Sequence, residues 1–580
     1  MTPPSRSPLA RTPLARNVVT VALFSAVAVV FTWPLALDPV GQHVSLHFDH
    51  YGVVWASAAI ESVDGALRTD LSTWPLGKSL LRADSFVLLA LARVLGLFGA
   101  SAWAAPVCAL AGPVLSAWAA ERVAARTFGA RWPWSIVAGL AYGFSGLGMT
   151  ALLEGHDYAL LNPWLPLLAE RVWRMAAPEG RVRDGVLAAV YWSLALLTTA
   201  YVGIAATLLT VALLARGAWL RTARPAPLLA AAGVVLPVVL AYVAAFTADG
   251  DVTRRASDTT AGPRELMAAG SARLGTLLTW TPSADLVQHS VVPSLGITAV
   301  VLALVAPRVL RGQPGWKTLL GGTLLTVALS LGPRVQLNVN DLSLPWILTP
   351  LASLPGAEFF RFPSRLLWIA GLGVGLVAAR VATRLAEVAP GPARFLLVFA
   401  VLDLFVATGA PLRTKAVPNL VPSAYAATAV GWPVLELYPP FYGSQRDLDV
   451  FVGNLTCSYQ VAHARPLLHD CLTTTLRSSP AHTLMPWLMD RALAPEASAA
   501  EVRARFDELG IGAVALHPGL YAADDRAELV AGLRRLLGEP TAESRDGGEH
   551  VVVWALAAPG SPPPSRAAAE ARWLALRGAP

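Results

Sequence analysis

Apolar runs of 13 to 20 residues recur through the first 410 positions of this chain, most of them parted from the next by a linker that carries charge. A bilayer core of about 30 Å is crossed by a helix of about 20 such residues, and within lipid only helices or closed barrels satisfy every backbone N–H and C=O. The runs lie at Val18–Leu37, Ala102–Ala120, Trp134–Ala151, Ala159–Trp173, Val186–Val202, Gly203–Ala215, Pro227–Phe246, Pro293–Ala306, Thr318–Leu331, Leu366–Val381 and Phe395–Ala410. Only 14% of the 580 residues are charged, against roughly 25% in a soluble domain, so a water-soluble protein of this size is excluded. The expected fold class is mainly α, a polytopic helical membrane protein with about eleven transmembrane helices.

The charges between the runs set the orientation. Arg6, Arg11 and Arg16 precede the first run with no acid among them, which places the N-terminus in the cytoplasm. No small-residue cleavage site follows that run, and Trp33-Pro34 reads as an interfacial anchor, so an uncleaved helix is expected rather than a signal peptide. Arg122, Arg126 and Arg131, then Arg174, Arg181 and Arg183, then Arg216, Arg221 and Arg224, then Arg308, Arg311 and Lys317, then Arg384 and Arg394 mark the inner loops. The formal net charge of +7 is therefore a matter of topology, and no nucleic-acid partner is expected. Acids and histidines gather in the alternate connections, which face outward. Ser85–Phe98 is apolar but short, and inserting it would turn the Arg122 linker outward; it is expected as a re-entrant or interfacial helix.

After Ala410 the charges return and prolines cluster at Pro433, Pro439 and Pro440. Helical patterns at Glu501–Leu509 and Ala527–Leu537, with short apolar strands at Gly512–Leu516 and Val551–Leu556, predict a small extracytoplasmic α/β domain. The expected division is a cytoplasmic N-terminus (1–17), a transmembrane domain (18–410) with a large first outer loop (38–101), the outer domain (411–558) and a flexible tail (559–580). The outer face is oxidising, so Cys457 and Cys471 are either bridged or two reduced thiols.

Polar residues at membrane depth are costly unless paired or lining water, and so mark candidate sites. Asp49, just beyond the first run and flanked by His43, His47 and His50, is placed to act as a general base or to hold a divalent ion; the other reading is a wet loop with an aromatic belt. A zinc ion on His43, His47 and Asp49 lacks any distant Cys or His pair to complete it. Glu154, His156 and Asp157 crowd a very short outer connection, either as a second acidic group or as a helix-capping turn with Asp157 as N-cap. Arg361 and Arg365 stand on the outer face against the positive-inside bias, where a forked guanidinium suits a lipid phosphate, or else snorkels to ordinary phospholipid. No P-loop, Gly-rich nucleotide loop, nucleophile elbow or zincin motif is present, so an activated donor would have to be carried by a lipid.

At these clusters the chain resembles the bacterial GT-C type integral membrane glycosyltransferases, in particular the YfhO-like group. The matching stretches are Asp49-His-Tyr-Gly-Val-Val-Trp55, Trp74-Pro-Leu-Gly-Lys-Ser-Leu80, Ala138-Gly-Leu-Ala-Tyr-Gly-Phe-Ser145 leading to Glu154-Gly-His156, Thr199-Ala-Tyr201 and Arg361-Phe-Pro-Ser-Arg365. In the outer domain, Tyr459-Gln460 with His463-Ala-Arg-Pro466 resembles the recurring Q-x-x-H-x-x-P segment of these proteins. The resemblance implies a hexosyltransferase of the bacterial inner membrane with a polyprenyl-phosphate-linked sugar as donor and an extracytoplasmic glycan or lipid-linked acceptor. It places Asp49 at the catalytic acid position, Glu154, His156 and Asp157 at a second polar group, and Arg361 and Arg365 at the donor phosphate. His50 and Tyr201 would support the site, and Gln460 and His463 belong to the outer-domain motif. The first loop has a single well-placed acid where some GT-C enzymes have two. A transporter or flippase of lipid-linked substrates, and a non-catalytic assembly protein for envelope polysaccharide, are the competing readings.

Overall fold

The computed structural model describes residues 13–33, 35–40, 42–43, 48–60, 68–69, 78–80, 85–153, 155–222, 224–247, 267–268, 271–274, 277, 295–313, 315–336, 344–350, 352, 363–408, 417–418, 421–438, 457, 459–460, 463, 465–468, 480–546 and 549–578. The chain divides into two compact units, Met1–Pro39 with Asp84–Leu88 and Ala105–Ala416, and Val40–Ala83 with Leu89–Ala104 and Val417–Pro580.

The first unit is helical, and a helix stands at each of the eleven apolar runs. Among the described residues, however, only 5 helices are long and apolar enough to span: Pro13–Phe31, Ser101–Arg126, Ala200–Trp219, Pro225–Ala244 and Pro363–Val388. The expectation of about eleven full spans is not met at that standard, and breaks shorten several of the others. The 134–151 run is interrupted after Gly143 and becomes two helices of 8 residues, Ile136–Gly143 and Gly146–Leu153. Thr199 takes an extended conformation and parts Val182–Thr198 from the following helix, while Trp164–Met175 has only 12 residues. Phe86–Gly96, at 11 residues, is likewise too short to span.

Leu367–Val388 is buried along most of its length up to Thr383, with the Ile136–Gly143, Ile297–Val309 and Trp316–Ser330 helices packed around it. Small residues make this possible: lipid gives no hydrophobic drive between helices, so close van der Waals approach has to hold them. A Cβ on Gly373 would lie 2.0 Å from Thr323 Oγ1, and one on Gly143 would lie 2.5 Å from the Pro113 carbonyl oxygen and 2.6 Å from Ala117 Cβ. Since the Gly143 neighbours are largely backbone, Gly143→Ala is expected to cost about 1–3 kcal/mol, read as an earlier midpoint when the purified protein is unfolded in detergent mixtures.

The arginine-bearing linkers meet at one end of this unit. Arg16 pairs with Glu121 at 2.5 Å, and Ser135 donates to the same carboxylate. Arg131 pairs with Glu387 at 3.1 Å, and Arg380 donates to the Phe128 carbonyl and to Gln313. Arg216 lies 4.2 Å from the centre of the Trp173 ring, which packs edge-on against Phe128. Charges left over from topology are thus partly used to tie helix ends together.

The second unit is built on a four-stranded sheet of β1 (Val434–Leu437), β2 (Ala513–Leu516), β3 (Ala542–Ser544) and β4 (Val551–Ala555), in the order β1-β2-β4-β3. β1 runs parallel to β2, and β4 is antiparallel to both β2 and β3. Its core includes Leu437, Leu488, Phe506, Val514, Leu533, Trp554 and Trp573. Ser498 caps the Ala499–Leu509 helix through the Glu501 amide, and Gly510, left-handed at φ 68°, ends it. Two groupings depart from expectation. The tail carries a helix, Arg566–Gly578, whose Trp573 is buried in this core, because a large aromatic side chain gains more by packing than by staying wet. The first-loop segments 40–83 and 89–104 group with the C-terminal residues rather than with the helical unit. Gln42–His43 pairs antiparallel with Val417–Pro418, and Arg93 donates to the Ile60 carbonyl at 3.2 Å.

Candidate functional site

In the helical unit the sequence motifs converge on the start of the 367–388 helix. Pro363–Leu366 forms a 3-10 turn with all four residues buried, Arg365 included, and leads directly into that helix. The turn packs against the Trp316–Ser330 helix and against the Ala200–Trp219 helix that begins with Tyr201 in its first turn. Three residues beyond Arg365, the Trp368 ring meets Tyr142 edge-on at 6.1 Å. Tyr142, from the 138–145 stretch, donates through its hydroxyl to the Asn162 carbonyl at 2.9 Å. Ser116 donates to the Leu160 carbonyl and accepts from the Asn162 amide. These bonds fasten the connection that bears His156 and Asp157 to the same neighbourhood.

That connection is tighter than a cap. Gly155 takes φ 75°, which an L side chain adopts only at a cost, and Asp157–Leu160 forms a fully buried 3-10 turn with His156, not Asp157, at the capping position. Asp157 is therefore inside the turn rather than the N-cap of the next helix, and the His156 ring stands edge-on to Tyr158 at 5.8 Å. Glu154 and Arg361 lie outside the described residues.

Asp49 and His50 occupy the first turn of the Phe48–Ala59 helix, which belongs to the second unit. The opposite part of that helix is anchored. Trp55 is buried, and its indole N–H donates to Gln460 Oε1 at 2.5 Å. The Gln460 amide donates in turn to the Arg465 carbonyl at 2.8 Å. His463 accepts the Arg465 backbone N–H through Nδ1 at 3.1 Å and stacks on Tyr425 at 4.9 Å. The Arg465 guanidinium bonds the carbonyls of Thr428 and His463. The 466–468 stretch then runs beside β1, with the Val434 amide donating to the Pro466 carbonyl. Gln460 and His463 are thus brought into one buried polar network.

The centre of that network is a cluster that the sequence reading missed. His517 is fully buried between two carboxylates, with Nε2 2.9 Å from Glu436 and Nδ1 2.6 Å from Glu549. Tyr425 donates to Glu436 at 3.0 Å, and Tyr459, next to Gln460 in sequence, donates to Glu549 at 2.5 Å. Burial opposes charge on the imidazole, but hydrogen bonds to both carboxylates and their charge outweigh it, holding His517 protonated up to about 10. Burial also pushes the Glu436 carboxyl above its ordinary range, against the bonds from His517 and Tyr425, whereas at Glu549 the His517 and Tyr459 bonds overcome burial and the carboxyl ends below it. One signal was legible: an acid in the middle of β1, whose four residues are all buried.

Cys457 is buried and disulfide-bonded, Cys108 is a buried free thiol, and the remaining cysteine, Cys471, lies outside the described residues. Among the described residues, no group of three or more His, Cys, Asp or Glu side chains forms a metal-holding arrangement, so the expected divalent ion gains no support.

No protein-family model matches the chain, and no curated protein matches it. Among solved structures, the chain is similar to the arabinofuranosyltransferase AftD from Mycobacteria, at 15% identity and a TM-score of 0.55 over 95% of this chain and 40% of that one. A variant of the same enzyme gives 16% identity and a TM-score of 0.54 over 94% of this chain and 42% of that one. The chain spans less than half the length of the enzyme it matches. At such identity the likeness shows a shared fold alone, and it does not single out the YfhO-like group.

Proposed function

We propose that this chain is a membrane glycosyltransferase that moves a sugar from a polyprenyl-phosphate carrier to an extracytoplasmic glycan or lipid-linked acceptor. The observation that carries this reading is the buried Arg365 in the turn that opens the 367–388 helix. A buried guanidinium suits an anion with matching forked geometry, and the start of a helix adds positive partial charge at the same place. A lipid-borne phosphate satisfies both.

In this reading Asp49 accepts the proton of an acceptor hydroxyl, the freed oxygen attacks the anomeric carbon, and the bond to the carrier phosphate breaks. The phosphate leaves with the electron pair, stabilised by Arg365 and Arg361. Glu154, His156 and Asp157 supply the second polar group, with His50 and Tyr201 in support. The protein would sit in the bacterial inner membrane with its N-terminus cytoplasmic and its C-terminal domain extracytoplasmic. The disulfide at Cys457 accords with an oxidising compartment, and Cys471 is the proposed partner.

The test is transfer of label from a radiolabelled polyprenyl-phosphate hexose to an envelope glycan fraction in proteoliposomes. If the wild type transfers nothing the reading fails, and lipid scrambling or uptake without transfer puts the transporter in its place. Arg365→Lys keeps the charge and loses the fork; its donor KM is expected to rise by about 10- to 100-fold, the loss of one charge-assisted bond of about 1.5–3 kcal/mol. An unchanged KM would remove Arg365 from the phosphate site.

A further inference from the structure

The first-loop helix and the Gln460 motif are far apart in sequence, yet they meet inside one compact unit. Both ends of the contact are fully buried, so neither partner can be rescued by water. The chemistry of the pair is also restrictive. An indole N–H can only donate and the Arg465 carbonyl can only accept, so the side chain between them must accept on one side and donate on the other. An amide does both, and Gln460 meets both demands at once.

Behind Gln460 the support is continuous. The adjacent Tyr459 is tied to Glu549, Glu549 to His517, His517 to Glu436, Glu436 to Tyr425, and the Tyr425 ring to His463, which returns to Arg465. The network closes on itself around the residue that holds Trp55. Trp55 lies six residues beyond Asp49 on the same helix, about 9 Å along its axis. Fixing one residue of so short a helix fixes its rotation and height, and hence where residue 49 is carried.

We propose that Gln460 is a positioning residue, clamping Trp55 so that the C-terminal domain sets the placement of the helix that bears Asp49. The catalytic consequence rests on the glycosyltransferase reading above, whereas the clamp itself does not. Precise placement is where such a device acts, since a small displacement of a reacting group costs far more rate than binding.

The experiment uses the full chain in nanodiscs, with hydrogen exchange by mass spectrometry beside transfer from the radiolabelled polyprenyl-phosphate hexose. Two near-isosteric variants are compared. Gln460→Glu keeps the acceptor for Trp55 but faces the Arg465 carbonyl with a second acceptor; Trp55→Phe keeps the ring and removes the donor. In both, amides of 48–59 are expected to exchange about tenfold faster, while those of 499–509 and 367–388 keep wild-type rates. Transfer kcat is expected to fall about tenfold with the donor KM within about twofold of wild type. Unchanged exchange at 48–59 in both variants overturns the clamp, as does acceleration spread equally over the 499–509 helix, which would make the network merely structural. If the wild type transfers no sugar, the functional reading falls alone, and exchange at 48–59 still decides the clamp.

Discussion

His517→Leu is expected to destabilise the second unit by about 3–5 kcal/mol, because it leaves two carboxylates facing each other with the cation between them gone. Glu436 has no exposed side-chain surface and sits within β1, so it cannot turn to water without opening the sheet, while Glu549 is only 13% exposed. With a urea slope of about 2 kcal/mol/M, the midpoint for this unit should fall by roughly 1.5–2.5 M, followed by pulse proteolysis of the full chain. Adding Glu436→Gln to His517→Leu should recover part of the loss, since the cost lies in the uncompensated charge and not in the missing ring. A midpoint within about 0.3 M of wild type would mean that the cluster is not charged as described. The pH dependence gives an independent reading. The folded-state pKa of His517 is raised from 6.5 to about 10, so its contribution is complete below about 6.5, drains away as pH rises, and is gone above about 10. The wild type should therefore weaken across that alkaline window, and His517→Leu should not show that part of the slope.

The second large effect is at Asp49. Asp49→Asn removes the group proposed to take the acceptor proton while keeping the size of the side chain, so kcat for transfer should fall by about 10²–10⁴-fold. Donor KM should stay close to wild type, because the phosphate contacts are assigned elsewhere. Asp49→Glu, which restores the carboxylate on a longer stem, should recover a fraction of the rate. Transfer within threefold of wild type in Asp49→Asn would remove this residue from catalysis. Wild-type glycan in a deletion strain carrying only Asp49→Ala would favour the assembly-protein reading.

The helical unit was legible because its signal is local. An apolar run reports on its own surroundings, and helices stand at all the expected runs. The breaks were less legible. Thr199 and the stretch around Phe144 and Ser145 look apolar enough to continue, and only packing shows that the chain gains more by turning there. At the candidate site, Arg365 and Asp157 were singled out from their residue types in unusual places, but the contacts that link their segments run through Tyr142 and Trp368, two aromatic residues that by themselves read as ordinary core.

The contrast is sharpest in the second unit. Hydropathy along the chain determined that apolar helices recur through the first 410 residues and that a more polar stretch follows, since an apolar run forms its helix segment by segment. Asp49 stood out as an acid beside an apolar run, and Gln460 and His463 through a resemblance of motif. What joins them was decided only by the fold: Trp55 and Gln460 stand 405 positions apart, and His517 is 81 from Glu436 and 32 from Glu549. A buried charge is tolerable only beside its partners, and those partners come together only when separate strands and loops have packed. Local pattern therefore specified the elements, while the pairing of buried polar groups waited on tertiary structure.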